Sequence, residues 1–304
     1  MAQPYTPSDV AGPVGGDPDE IGVYPLDEHN AALLNLVAPR GYENPTPEEG
    51  LVYDLVAIGA GAGGLVSSKQ ASKRGFRSAL IERHLAGGDC LNVGCVPSKA
   101  LIRCARAAQA VREAGRFGVS VDGAGVGAEG ALEDRVAVDF GFVMERMRRL
   151  RAHIAPDDSY EGAQGAGDPG VDVYQGCGKF TSPHTIEVGG KTLRFRTAIV
   201  ATGAKPKVPD IAGLADVDFD TNLTIFNKTE CPKAMVVVGA GPIGLELAQA
   251  FAMFGTKVRA RRKRGGGCVC VCVCAGDLLG MICHLRLLCG RCAVCVVSCA
   301  VCRL

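Results

Sequence analysis

The pattern that most restricts the fold of this 304-residue chain lies between residues 53 and 82. A β-prone apolar run at residues 54–58 leads into Gly59-Ala-Gly61-Ala-Gly-Gly64, and a helix-compatible stretch and a second apolar run follow. In such a unit the first glycine permits a tight turn, the second lets the backbone approach a pyrophosphate, and the third lets the helix pack closely on the sheet. Glu82 follows Gly59 by 23 residues, close to where an acid would bind a ribose hydroxyl. The order predicts a dinucleotide-binding Rossmann unit rather than a glycine-rich structural turn.

A second copy of this pattern begins 180 residues later. Residues 234–238 form a strand-like run, and Gly239-Ala-Gly241-Pro-Ile-Gly244 leads into a helix that ends near Phe254. Two such motifs in one chain indicate two different dinucleotides. We therefore predict an α/β protein with two Rossmann-like domains, of which the second is incomplete.

Two cysteines, Cys90 and Cys95, follow the first motif. Within a regular α-helix, residues five apart have Cα atoms roughly 8.6 Å apart, whereas a disulfide spans about 4.4–6.8 Å. The backbone between them must therefore be irregular, which Gly94 permits, and Pro97 suits the first turn of a helix over residues 98–110. Cys95 is then expected at the positive end of that helix, where a thiolate is stabilised. Next to a dinucleotide site, the pair is predicted to be redox-active rather than two buried free thiols.

Residues 87–99, GGDCLNVGCVPSK, resemble the active-site signature of the class I pyridine nucleotide-disulfide oxidoreductases. This family includes glutathione reductase, dihydrolipoyl dehydrogenase and mercuric reductase. Residues 27–30 and 87–90 resemble the mercuric-reductase-like branch, and the resemblance covers residues 26–258.

The resemblance implies roles for individual residues. Cys95 would be the charge-transfer sulfur against the flavin of FAD, and Cys90 the exposed thiol that attacks the substrate. Lys99 would lie near flavin N5 and form an ion pair with Glu246. The implied cofactor ligands are Gly59, Gly61, Gly64, Glu82, Gly88, Asp89, Lys99, Gly178, Thr202 and Gly203 for FAD, and Gly239, Gly241 and Gly244 for NAD(P)H.

Three further segments give local predictions. Asp27 is a suitable N-cap, with Asn30 three residues on, for a short helix that docks on the body. Residues 140–154 are predicted to form a helix with an arginine-rich face, which we interpret as solvated rather than as a phosphate site. Residues 171–200 are extended and resemble the β-meander of the family. The arginines of that face are Arg146, Arg148, Arg149 and Arg151.

The resemblance ends after Val258. The basic run 259–264 could imitate a site for a 2′-phosphate, but no strand is predicted around it. The tail that follows is rich in cysteine, because residues 268–302 hold 10 of the 15 cysteines. Such a tail is open to three interpretations: a Zn²⁺ or Cu⁺ site, a membrane anchor, or sequence translated from an intron or a shifted frame. The uncharged runs are too short for an anchor, and Val-Cys repeats are what GT repeats encode, so we favour the last.

The predicted organisation has four parts: an acidic Pro-rich extension with a short helix (1–50), an FAD-binding domain with a parallel sheet, a β-meander and the redox disulfide (51–230), the first part of an NAD(P)-binding domain (231–264), and a cysteine-rich tail without a native fold (265–304). The family is homodimeric, and its dimerisation domain is expected to be absent.

Composition excludes several classes of function. Lys and Arg number 33 against 32 Asp and Glu, so the net charge of +1 provides no basic footprint for nucleic acid or an anionic membrane. The N-terminus shows no signal or transit peptide, which favours a soluble intracellular protein.

We therefore predict an oxidoreductase in which NAD(P)H reduces FAD, FAD reduces the Cys90–Cys95 disulfide, and the acceptor is a small-molecule disulfide, a protein disulfide or a metal ion. No resident metal is predicted. As a truncated member of the family, the chain is expected to retain FAD weakly and to turn over little. The alternative is a non-catalytic, cysteine-rich metal-binding protein on a flavoprotein-like scaffold.

Overall fold

The computed structural model describes residues 5–6, 22–120, 136–239, 241–264, 267–272 and 295–297. The predicted N-terminal extension lies partly, and the predicted cysteine-rich tail mostly, outside the described residues. The chain divides into two units, Met1–Pro97 with Arg148–Lys205, and Ser98–Met147 with Pro206–Leu304, which are described in turn.

The described residues form seven α-helices and eleven strands. The helices are α1 (Glu28–Val37), α2 (Ala62–Ser72), α3 (Gly88–Asn92), α4 (Cys95–Glu113), α5 (Phe140–Asp158), α6 (Tyr160–Gln164) and α7 (Pro242–Met253). The strands are β1 (Val52–Ile58), β2 (Ser78–Glu82), β3 (Val171–Gln175), β4 (Lys179–Ser182), β5 (Thr185–Val188), β6 (Lys191–Val200), β7 (Phe219–Asp220), β8 (Ala234–Val238), β9 (Lys257–Arg264), β10 (Gly267–Cys272) and β11 (Cys295–Val297).

A six-stranded sheet with the order β3-β2-β1-β6-β5-β4 forms the centre of the first unit. Strands β3, β2, β1 and β6 pair in parallel, whereas β4, β5 and β6 form an antiparallel meander. Helix α2 connects β1 to β2 and packs on both strands, as the crossover between parallel strands requires. The α/β class and the parallel sheet with a meander are therefore confirmed.

The core of this sheet is apolar, with one polar group at its centre. Tyr53 is 1% exposed, and its hydroxyl donates to Asp172 Oδ2 at 2.6 Å and lies 2.8 Å from the hydroxyl of Tyr174. These hydrogen bonds satisfy polar atoms that would otherwise be buried without partners. The side chains packed around them are Val56, Ile58, Ala79, Ile81, Ile186, Val188, Leu193 and Phe195.

The N-terminal helix α1 begins as predicted. Asp27 Oδ1 accepts the backbone N–H of Asn30 at 2.9 Å, which is the bond of an N-cap residue. Leu33, Leu34 and Val37 are buried on one face of the helix.

The second unit contains a five-stranded sheet with the order β10-β9-β8-β11-β7. Strand β8 pairs in parallel with β9 and β11. The expectation of no strand around residues 259–264 is wrong, because β9 runs to Arg264 and its register places Arg261 opposite Val238. Parallel pairing uses backbone groups, so a run of basic residues does not prevent it. Residues 267–272 and 295–297 of the predicted tail also form strands of this sheet.

The helices of the second unit pack through aromatic side chains. Phe140, at the start of α5, has its ring centroid 5.9 Å from that of Phe251 and 5.7 Å from that of Phe254.

Among the described residues, no helix combines the length and apolar character needed to cross a membrane.

Candidate functional site

The glycines of the first motif form a turn with no room for side chains. Gly59 has a φ of +100°, and a Cβ there would lie 2.3 Å from the carbonyl oxygen of Ala201. A Cβ on Gly64 would lie 1.8 Å from the carbonyl oxygen of Gly59. Both positions therefore require glycine. Gly59 needs it for its positive φ and for the close approach of Ala201, and Gly64 needs it because α2 packs against the turn.

The N-terminus of α2 lies against the turn that precedes α3. Gly61 is the N-cap of α2 and provides no side-chain hydrogen bond. Gly88 has a φ of +53°, and a Cβ there would lie 2.7 Å from Gly61 Cα. The first backbone N–H groups of α2 thus have no side-chain cap, and a helix N-terminus of this kind favours a phosphate. This glycine cradle, Gly59, Gly61, Gly64 and Gly88, fits the pyrophosphate of a dinucleotide.

Glu82 lies at the end of β2 with 8% of its surface exposed. Its Oε2 accepts the N–H of Ala60 at 2.6 Å, and its Oε1 accepts the N–H of His84 at 2.7 Å. In this structure the carboxylate therefore holds the glycine turn to the following loop. Its contact with a ribose stays a prediction.

The end of β6 comes back to the same turn. Ala201 donates its N–H to the carbonyl of Ile58 at 2.8 Å, so Thr202 and Gly203 follow at the edge of the cradle, and Gly203 has a φ of +70°. Gly178, between β3 and β4, would place a Cβ 3.1 Å from Ile186 and 3.2 Å from Ile81. Their contacts with FAD stay predictions.

The two cysteines lie on either side of a helix break. Cys90 is in α3, Cys95 is the first residue of α4, and Val93 and Gly94 separate the helices. A Cβ on Gly94 would lie 2.7 Å from the carbonyl oxygen of Asp89, which explains the glycine. The irregular backbone predicted between the cysteines is confirmed, although α4 begins three residues earlier than expected.

The two thiols lie close enough to form a hydrogen bond with each other. Burial, followed by the hydrogen bond and the charge of Cys95, raises the pKa of Cys90 to about 11. Cys90 is half-buried and Cys95 is exposed, which reverses the order of exposure implied by the family roles. The assignment of Cys90 to the substrate and Cys95 to the flavin stays a prediction.

Three other predicted residues lie on helices α3, α4 and α7. Asp89 is the second residue of α3, and desolvation raises the pKa of its carboxyl group. Lys99 is exposed on α4, and Glu246 is exposed on α7. In the part of the chain that the structure describes, no ion pair joins them, so their pairing stays a prediction.

The second motif has the same backbone plan as the first. Gly239 has a φ of +116°, Gly241 is the N-cap of α7, and Gly244 is buried. The strand registers also correspond. In the first unit Ile58 pairs with Ile81, which is the residue before Glu82. In the second unit Val238 pairs with Arg261, which is the residue before Arg262. Arg262 follows Gly239 by 23 residues, as Glu82 follows Gly59.

The arginine face of α5 differs from its prediction. Arg148 and Arg151 are buried, at 8% and 0% exposure, so their interpretation as part of a solvated face is wrong. Arg151 donates to the backbone carbonyl of Asn92 and to the side chain of Asn30. The sequence carried one signal for this, since Arg151 follows the buried Met144 and Met147 by seven and four residues, on one helical face.

Among the described residues, no group of three or more metal-ligating side chains could hold a metal ion. The proposed cysteine site of the tail lies largely outside those residues.

Comparison with known proteins gives a consistent result. The family model of the pyridine nucleotide-disulphide oxidoreductases matches residues 53–264. Dihydrolipoyl dehydrogenase of Acholeplasma laidlawii is 31% identical over 210 residues, covering 68% of this chain and 58% of that protein. Mercuric reductase of Shigella flexneri is 34% identical over 223 residues, covering 72% and 37%. The chain thus spans well under two thirds of these curated relatives.

A solved structure shares the fold. The HOCl-induced flavoprotein disulfide reductase RclA from Escherichia coli superposes with a TM-score of 0.54 and 26% identity, covering 68% of this chain and 41% of that one.

Proposed function

The chain belongs to the pyridine nucleotide-disulphide oxidoreductase family, and from this premise we propose that it passes electrons from NAD(P)H through FAD to the Cys90–Cys95 pair and then to a disulfide or a metal ion. The observation that carries the proposal is the pair of adjacent thiols at the α3–α4 break, next in the chain to a glycine cradle. The names of the relatives, a mercuric reductase and a flavoprotein disulfide reductase, support these two classes of acceptor.

The first unit would hold FAD through the glycine cradle. The N–H groups at the start of α2 would donate to its pyrophosphate, and Glu82, whose carboxylate contacts the turn, would bind the ribose. When bound, FAD supplies the two-electron chemistry that links hydride transfer from the coenzyme to reduction of the disulfide. Lys99 is proposed to lie near flavin N5, and Asp89 is a further proposed FAD contact.

The thiol pair would perform the exchange step. The sulfur of Cys90 loses its proton and attacks an acceptor disulfide, releasing one acceptor thiol and forming a mixed disulfide. Cys95 then displaces the second acceptor thiol, leaving a Cys90–Cys95 disulfide. Because burial raises the pKa of Cys90 to about 11, only a small fraction of this thiol is ionised at neutral pH, and the thiolate is the form that attacks.

The second unit would bind the nicotinamide coenzyme, and we infer that it favours NADPH. Arg262 occupies the register position that Glu82 occupies in the first unit. An acid there suits a ribose hydroxyl, whereas an arginine suits a 2′-phosphate. Arg262→Ser should weaken binding of 2′,5′-ADP about ten- to a hundredfold, as expected for a lost charged hydrogen bond. The affinity for 5′-ADP, which has no 2′-phosphate, should stay the same.

Isothermal titration with these two nucleotides checks this inference. Arg259→Ser is the matched control, since Arg259 lies three residues earlier and pairs with Val236 inside the sheet. Equal binding of both nucleotides by the unaltered chain would contradict the preference for NADPH.

The function itself is tested on the purified 304-residue chain. After addition of FAD, NADPH should convert the Cys90–Cys95 disulfide to thiols, which is measured by alkylation of the tryptic peptide 84–99, whose only cysteines are these two. Omission of FAD is the control. We expect weak flavin retention and slow turnover of added disulfide or Hg²⁺, since the chain spans at most 58% of the relatives compared. A peptide that stays oxidised with FAD and NADPH present would refute the proposal.

A further inference from the structure

A buried arginine of α5 contacts the segment that carries the thiols. Arg151 has 0% exposure. Its Nη1 donates to the carbonyl oxygen of Asn92 at 2.6 Å, and its Nη2 donates to Asn30 Oδ1 at 2.6 Å. Asn92 is the last residue of α3, and the last carbonyls of a helix have no donor within the helix. Arg151 therefore supplies a donor at the position where α3 ends.

Asn92 in turn closes the loop around α3. Its side-chain amide donates to the carbonyls of Ala86 and Gly88, both at 2.9 Å. One residue thus joins the two ends of the short helix, and Arg151 holds that residue in place. Asn92 follows Cys90 by two residues and precedes Cys95 by three, so the backbone that Arg151 holds is the connection between the thiols.

The partner on α1 is fixed as well. The Asn30 side-chain amide donates to the carbonyl of Pro25 at 2.6 Å, and its N–H donates to Asp27. Arg148 forms an ion pair with Asp27 at 2.5 Å. The guanidinium of Arg151 is therefore held between α1 and the end of α3 by groups that are themselves hydrogen-bonded.

A buried cation is a costly way to fill a core position. Burial lowers the pKa of Arg151 to about 10, and an apolar side chain of similar size would avoid the loss of hydration. The guanidinium offsets this cost with two directed hydrogen bonds, to the carbonyl of Asn92 and to the side chain of Asn30. Asp158, two turns further along α5, lies close enough to Cys90 for its charge to affect that thiol, so the same helix faces the thiol segment at two points.

We propose that Arg151 is a positioning residue for the thiol pair: by holding the Asn92 carbonyl, it keeps Cys90 and Cys95 in the arrangement from which their disulfide forms. This inference rests on the proposed function, because it assigns the role within the same redox pair. Loss of the two hydrogen bonds should widen the range of conformations of the 90–95 segment and thereby disfavour disulfide formation.

The test measures the thiol–disulfide equilibrium of Cys90 and Cys95 in the full chain. The protein is equilibrated in glutathione buffers of increasing GSSG content and quenched in acid. It is then alkylated and digested with trypsin, and the oxidised fraction of peptide 84–99 is measured by mass spectrometry. Arg151→Met should lower the equilibrium constant for the disulfide about tenfold, equivalent to about 30 mV. Arg149→Met, at an exposed position of the same helix, should leave it unchanged.

A second variant covers the case in which Arg151→Met fails to fold, as judged by circular dichroism. Arg151→Lys keeps the charge and the stem but has no two-armed fork, so it should shift the equilibrium in the same direction by a smaller amount. An unchanged constant in whichever of these variants folds, or an equal shift in Arg149→Met, would overturn the positioning role alone. If the unaltered chain forms no Cys90–Cys95 disulfide in any buffer, the proposed function fails as well. Neither flavin nor coenzyme is needed for this measurement.

Discussion

The close packing of α2 against the glycine turn leads to a sharp prediction for Gly64→Ala. The added Cβ would lie 1.8 Å from the carbonyl oxygen of Gly59 and 3.3 Å from Leu80 Cδ1. A carbon–oxygen contact needs about 3.3 Å or more, so the start of α2 would have to move by about 1.5 Å. The obstacle is a backbone oxygen of a turn that is itself hydrogen-bonded, since Gly59 donates its N–H to Ile81 at 2.7 Å. The overlap cannot be relieved by a side-chain rotation.

The magnitude follows from two opposing terms. Overpacking of a well-packed site costs about 3 kcal/mol at the upper end of its range, and replacement of a helical glycine by alanine returns about 1 kcal/mol. The free energy of unfolding should therefore fall by about 2 kcal/mol. Gly63 is the matched control: it lies in the same helix turn, is exposed, and its Cβ would meet only the Cβ of Ala201 at 3.5 Å. Gly63→Ala should be neutral or stabilising by up to about 1 kcal/mol.

Urea unfolding followed by far-ultraviolet circular dichroism measures both variants, since the chain contains no tryptophan. Addition of FAD to each variant then tests whether the same displacement weakens the cradle for the cofactor. If Gly64→Ala unfolds at the same urea concentration as Gly63→Ala, the proposed close contact between α2 and the turn is refuted.

Two further predictions concern the same loop and the thiols. Glu82→Gln should lower the free energy of unfolding by about 1–3 kcal/mol, because the amide nitrogen cannot accept the N–H that one carboxylate oxygen now accepts. Urea unfolding measures this change. Glu187→Gln, at an exposed position of β5, is the control and should leave the free energy of unfolding unchanged. The alkylation rate of Cys90 should rise about tenfold per pH unit between about pH 8 and pH 10, because the pKa of its thiol is raised to about 11 and only the thiolate reacts. Fragment-ion spectra of peptide 84–99, which separate label on Cys90 from label on Cys95, report this rate. A plateau below about pH 9 would contradict the raised pKa.

The elements with strong local signals were predictable from the sequence. The strands β1, β2 and β8 and the helices α1, α2 and α7 lie within a few residues of their predicted positions, because apolar runs, the Asp27 N-cap and the glycine turns act locally. The break between Cys90 and Cys95 was also predictable, since helix geometry excludes a five-residue bridge.

The parts that were missed depend on partners distant in sequence. The buried state of Arg151 arises from acceptors 59 and 121 residues away, and charge alone suggested a solvated face. A pattern of helical burial gives the face on which a residue lies, but it does not reveal that a backbone carbonyl on that face needs a donor. Strand β9 was missed for a related reason, because its basic residues conceal a backbone that pairs in parallel with β8.

The correspondence between the two units goes beyond a shared motif. In the first, the residue after the last strand pair is Glu82, and its carboxylate accepts N–H groups from Ala60 and His84. In the second, Arg262 stands at the same register, and a guanidinium has donors but no acceptor. A guanidinium cannot accept backbone N–H groups as the Glu82 carboxylate does, so the role that Glu82 has in the first unit does not carry over to this position. This difference is the basis of the proposed preference for NADPH, because the 2′-phosphate is the anion that distinguishes NADPH from NADH.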